Sequence, residues 1–198
     1  MLNDNKVEVD SLPTTTLSGR VVRLAPGAVG LVDGDGKSAV ALVHPQGVSH
    51  ISVSGDVPTL VIQPGVSVRF AARVDEQGRG TDPVDAWEIV TLGRDVQPTA
   101  VGPNKVQTIV GTVTKRHGDM VRVTVGDGEL KSLTFMVAPE AKAVVRGSSL
   151  DLLSLGDDVV VQGHSYAGVG SLADRTIFAN ELTASKPTVS KQTVAQRQ

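Results

Sequence analysis

Apolar and polar residues alternate with a period of two along most of this chain, and β-branched residues fill the apolar phase. That pattern predicts half-buried strands rather than helices. The first strand is Leu17-Ser18-Gly19-Arg20-Val21-Val22-Arg23-Leu24, and Pro26-Gly27 ends it in a turn. A second strand follows at Ala28-Val29-Gly30-Leu31-Val32. Asp33-Gly34-Asp35-Gly36 then turns the chain tightly, because Asp-Gly pairs accept the positive φ such turns need. A third strand over residues 38–43 closes at His44-Pro45-Gln46-Gly47. Residues 48–64 are rich in loop formers, with a short strand at 50–53. Strands at 65–73, with Val66, Val68 and Phe70 on one face, and at 86–92 complete the first half around a polar loop at 75–85. Pro98, Gly102 and Pro103 mark residues 94–105 as a linker.

The second half repeats the first. Gly19-Arg20-Val21 aligns with Gly111-Thr112-Val113, Val29 with Val121, and Gly34-Asp35-Gly36 with Gly126-Asp127-Gly128, at one constant offset. After a slip of two residues Val43-His44-Pro45 matches Val137-Ala138-Pro139. Gly65-Val66-Ser67-Val68 matches Gly156-Asp157-Asp158-Val159, and Ala86-Trp87-Glu88-Ile89 matches Ala179-Asn180-Glu181-Leu182. Recurrence in one order and one strand phase predicts a duplicated module. In the second half, the stretch from Ala138 to Leu155, after the strand Leu133-Thr134-Phe135-Met136-Val137, is the one place that could hold a helical turn, as a short helix or loop. The expectation is an all-β chain of two tandem five-stranded Greek-key barrels. An N-terminal arm (1–16), a first barrel (17–93), the linker (94–105), a second barrel (106–184) and a flexible Ser-, Thr-, Gln- and Lys-bearing tail (185–198) divide it.

Composition narrows the function classes. The 198 residues are 40% apolar and carry a net charge of −2, as in a soluble globular protein. Without cysteine, neither disulfides nor thiolate metal sites are available. The N-terminus Met1-Leu2-Asn3-Asp4-Asn5-Lys6-Val7-Glu8-Val9-Asp10 matches neither a secretory signal nor a transit peptide, and no apolar run is long enough for a membrane span, so the expected location is cytoplasmic, away from any membrane.

Candidate chemistry is sparse. Asp33-Gly34-Asp35-Gly36 starts like a calcium loop, but Lys37 and His44 stand where that loop requires oxygen ligands. The histidines His44, His50, His117 and His164 include no pair at zinc-ligand spacing. Nucleophile elbow, metalloprotease helix, phosphate loop and dinucleotide fingerprint are all missing. No enzyme activity, catalytic residue, metal or cofactor is expected.

The positive charges are unevenly placed. Lys115, Arg116, His117, Arg122 and Lys131 cluster on the first strands of the second half, with Arg20 and Arg23 in the corresponding part of the first. Such a cluster can neutralise a phosphate backbone without reading its sequence. Base stacking normally needs aromatic platforms as well. Phe70, Trp87, Phe135 and Phe178 lie at apolar strand phase and are expected in the core; Tyr166, in the loop Gly163-His164-Ser165-Tyr166-Ala167-Gly168-Val169-Gly170, is the free candidate.

Three of the repeated stretches, Gly111-Thr112-Val113, Gly156-Asp157-Asp158-Val159-Val160-Val161 and Ala179-Asn180-Glu181-Leu182, give the chain a generic resemblance to OB-fold (oligonucleotide/oligosaccharide-binding) proteins. The resemblance implies the fold and transfers no binding residue. The leading expectation is a non-enzymatic protein binding single-stranded DNA or RNA through Lys115, Arg116, Arg122 and Lys131, with Tyr166 stacking on a base. The alternative is a structural or adaptor protein whose barrel edges pair with a protein partner or with copies of itself. A glycan or small-ligand binder fits less well, because exposed aromatics are again wanting.

Overall fold

In the computed structural model of the chain, Val9, residues 12–43, Val48, residues 50–165 and residues 175–187 are described. Among them the chain is all-β, with eleven strands: β1 (Thr14–Ala25), β2 (Ala28–Val32), β3 (Ser38–Val43), β4 (His50–Val57), β5 (Ser67–Arg73), β6 (Val84–Val90), β7 (Val106–His117), β8 (Met120–Thr124), β9 (Ser132–Gly147), β10 (Asp158–Ser165) and β11 (Thr176–Ser185). Among the described residues no helix is long and apolar enough to cross a membrane.

Strands β5 to β9 close a five-stranded mixed barrel. Antiparallel pairs join β5 to β6, β5 to β7, β7 to β8 and β8 to β9, and a parallel pair of β6 with β9 completes the ring. Alternation directs Val68, Phe70, Trp87, Ile109, Val113, Val121, Val123, Leu133 and Phe135 into its core. Phe70 packs between Trp87, at 4.3 Å, and Phe135, edge-on at 4.7 Å. These three aromatics are buried as the strand phase predicts, whereas Phe178 is half-buried.

Six further strands complete the chain, and their pairing departs from a sequential layout. Strand β1 pairs with β2 and β2 with β3, as expected of neighbours. The next partners come from the far end of the chain: β3 pairs in parallel with β11, β11 with β10, and β10 with β1. The hairpin strands β5 and β6, which come next in sequence after β4, belong to the other set. Two compact units result. One holds the described residues up to Val53 together with Ser148–Pro187, the other Ser54–Gly147. Strand β4 carries the chain from the first unit into the second.

Strand β9 also departs from the expectation. A helical turn or loop was expected after Val137, but the strand runs on to Gly147, 16 residues in all, with Ala143 and Val145 buried at period two. Its register against β6 slips between Val84 and Ala86, so residues 138–141 stand against Asp85 alone and the extra length is taken up there rather than in a helix. The chain thus leaves the barrel from the end of a long strand. The only helical residues nearby form a short 3-10 turn at Leu150–Leu152.

Asp33 organises its turn as expected. Its carboxylate accepts the N–H groups of Asp35 (3.0 Å) and Lys37 (2.8 Å), and its carbonyl accepts Gly36 N–H at 3.0 Å. Arg175 adds a charge-assisted bond. These donors hold the carboxyl below its usual range, the Lys37 amide contributing most. Asp75 builds the same turn through Gln77 and Arg79. The Gly126-Asp127-Gly128 stretch forms a wider loop instead, spanned by the Val125 N–H to Lys131 carbonyl bond of 3.1 Å.

Candidate nucleic-acid interface

The β7–β8 hairpin places the predicted cations. Up to Val113 the two strands are in regular register, with Val113 opposite Val123; one residue of β7 is then skipped, and Lys115 faces Arg122. This irregularity reverses the phase of the end of β7. Lys115 therefore points outward with Arg122, while Arg116, opposite the fully buried Val121, turns toward the barrel end.

Two rows of side chains consequently cross the outer face of three strands. Lys115, Arg122 and Thr134 form one; His117, Met120 and Met136 form the other. The rows are two residues apart along each strand, roughly 7 Å. Lys115, His117, Met120, Val121, Arg122 and Thr134 line a shallow groove of about 360 Å³ between them. Met120 and Met136 are 41% and 49% exposed, at a phase where polar residues belong. A hairpin loop borders the groove: Gly80 donates to the Thr134 carbonyl at 2.8 Å, and Thr134 donates to Gly78 at 2.9 Å.

Like charges directly opposite across a strand pair repel and destabilise it. Lys115 and Arg122 nevertheless face each other, both exposed, and neither makes a salt bridge among the described residues. Sites where a sequence breaks such a local rule without local compensation are where function is expected.

The other predicted residues go elsewhere. The Arg116 guanidinium donates to the carbonyls of Thr59, Ile62 (3.1 Å) and Gly118 (3.0 Å), and so ties a 3-10 turn at Thr59–Val61 over the barrel end. Lys131 sits in the β8–β9 loop, 74% exposed and 3.5 Å from Asp127, and does not line the groove. Tyr166 lies outside the described residues. In the other unit Arg20 is paired with Asp158 at 3.2 Å, and Arg23 faces Gly30 rather than a second cation.

Met120, Met136 and Thr134 escaped the sequence reading. Their signal was two methionines on the polar side of the alternation. Among the described residues no group of three or more His, Asp or Glu side chains is gathered as for a metal ion. No family model, no curated protein and no solved structure matches the chain.

Proposed function

We propose that the chain is a non-enzymatic binder of single-stranded nucleic acid and that its ligand lies across the outer face of β7, β8 and β9. The uncompensated cation pair Lys115–Arg122 beside exposed Met120 and Met136 carries this reading. In it the phosphates run along the first row, and bases rest on the second, where polarisable thioethers replace the usual aromatic platforms. Tyr166 adds a stacking residue on sequence grounds alone.

An OB-like architecture is part of the proposal. A three-strand meander, β7 to β9, closed by a hairpin whose second strand runs parallel to β9, supports it. In OB folds the face of the second and third strands is the ligand side, here β8 and β9.

Fluorescence anisotropy with a labelled oligothymidylate across a salt series tests the proposal. Neutralising about two phosphates gives a slope of log affinity against log salt near −1.4 for a single strand. Lys115→Ala with Arg122→Ala is expected to weaken binding at least tenfold, and Lys131→Ala by much less. No binding at low salt refutes the proposal.

A further inference from the structure

The chain has three methionines, and the two beyond Met1 stand directly opposite each other: Met120 on β8 faces Met136 on β9. His117 on β7 faces Met120 from the other side. One imidazole and two thioethers thus lie in a single row across three adjacent strands, all three side chains exposed. Neither methionine belongs to the barrel core, so core packing does not account for their meeting.

The backbone fixes this row. The two-residue turn Gly118-Asp119, with Gly118 in the left-handed region (φ 58°), sets His117 against Met120. Next to Met136, the Val137 N–H donates to the Asp119 carbonyl at 2.8 Å, which ties β9 to the same turn. Facing residues of adjacent strands are about 5 Å apart at Cα, so His117 and Met136, two strand spacings apart, are separated by about 10 Å. An ion held above Met120 is therefore reached by all three side chains through choice of rotamer alone. Among the described residues the His117 ring makes no hydrogen bond or ion pair, which leaves its nitrogens available.

The donors select the ion. Thioethers are soft ligands and favour Cu(I), whereas Ca²⁺ and Mg²⁺ require oxygen. In a chain without cysteine, methionine is the soft donor available. Two thioethers and a neutral imidazole bring no negative charge, and Lys115 and Arg122 occupy the neighbouring row. A divalent ion would be repelled by both cations with no carboxylate in the set to offset it, and a univalent ion is repelled half as much. We propose that His117, Met120 and Met136 form a three-ligand site for one Cu(I) ion. This goes beyond the nucleic-acid reading and does not rest on it. An ion and a base exclude each other on the same thioethers, while the phosphate contacts belong to the first row.

Silver(I), a redox-inert analogue of Cu(I), is the first probe, added as its nitrate to the full-length protein and followed by NMR of the methionine methyl groups. Met120→Leu and Met136→Leu, changes that nearly conserve volume, assign two of the three signals and leave Met1 as the reference. Both assigned signals are expected to shift and to stop shifting at one equivalent of silver, with the Met1 signal unmoved. The second probe is Cu(I) itself, held under anaerobic conditions in competition with the chelator bicinchoninate. Its affinity is expected to fall at least about tenfold in Met120→Leu, in Met136→Leu and in His117→Ala, each confirmed as folded by circular dichroism. Failure of either assigned signal to shift, or a smaller loss of Cu(I) affinity in any of the three folded variants, overturns the inference. No nucleic acid is present in either measurement, so this site and the oligonucleotide site stand or fall separately.

Discussion

The Lys186 ammonium lies 2.6 Å from the Asp157 carboxylate, and the two side chains are only 7% and 1% exposed. Lys186 also donates to the Leu152 carbonyl and to the Ser154 hydroxyl at 3.1 Å, while Asp157 accepts the Ser154 N–H at 2.9 Å. The end of β11 is thereby latched to the turn that precedes β10. Breaking such a pair strands a charge away from water, so Lys186→Met is expected to cost about 3–5 kcal/mol. Val66 occupies the place of Asp157 in the matching junction of the other unit. Asp157→Val combined with Lys186→Met is therefore expected to recover most of that loss, as read by urea unfolding under circular dichroism.

Glu88 sets an acid limit on stability. It accepts a 2.6 Å bond from Arg69 and lies 3.7 Å from Arg146. The Arg69 hydrogen bond is the main cause holding its carboxyl below the usual 4.5. The unfolded chain therefore takes up a proton at higher pH than the folded one. The stabilisation is complete above the ordinary carboxylate range and is lost as pH falls through the lowered folded value. Glu88→Gln is expected to lower stability at pH 7 and to flatten this part of the acid limb in urea midpoints measured from pH 7 to pH 3. An unchanged acid slope contradicts the assignment.

Close backbone approach makes Gly111 intolerant of a side chain. A Cβ there would stand 2.3 Å from the Thr124 carbonyl oxygen, and one at Gly19 would stand 2.7 Å from that of Val32. Gly111→Ala is expected to destabilise by about 2–3 kcal/mol. Gly34→Ala, where a Cβ meets nothing within 4 Å, is expected to stay within about 0.5 kcal/mol of the parent. Thermal unfolding distinguishes them.

Arg116 and Arg122 are expected to separate stability from binding. Arg116→Ala removes three carbonyl contacts at the barrel end and is expected to cost about 1–3 kcal/mol, with oligonucleotide affinity changed by less than about threefold. Arg122→Thr relieves the repulsion from Lys115 and is expected to leave stability unchanged or a few tenths of a kcal/mol higher, while weakening binding. Paired urea and anisotropy measurements on both variants check this.

Local structure was largely legible in the sequence because a strand buried on one face writes its own alternation. The bounds of β2 and β3 coincide with the runs expected at residues 28–32 and 38–43. Residues 138–147 were misread because Pro139-Glu140-Ala141-Lys142 looks like a helix start, whereas the parallel contact with β6 imposes period two on Ala143 and Val145. Strand partners were not legible. Val68 and Val159 are buried in strands of matching pattern behind matching glycines, and alternation does not say which meander either strand joins. The candidate site was half legible: charge clustering pointed to Lys115 and Arg122, but only the register irregularity after Val113 reveals that Arg116 turns away from them.

The pairing of β1 with β10 rather than with β5 underlies the division into units. Two full-length double variants refolded at high dilution test it directly: Thr16→Cys with Gln162→Cys, which face each other, and Thr16→Cys with Ala71→Cys, which would face each other if β1 paired with β5 as β7 does. Intrachain disulfide in the first and free thiols in the second are expected. The reverse result contradicts the account.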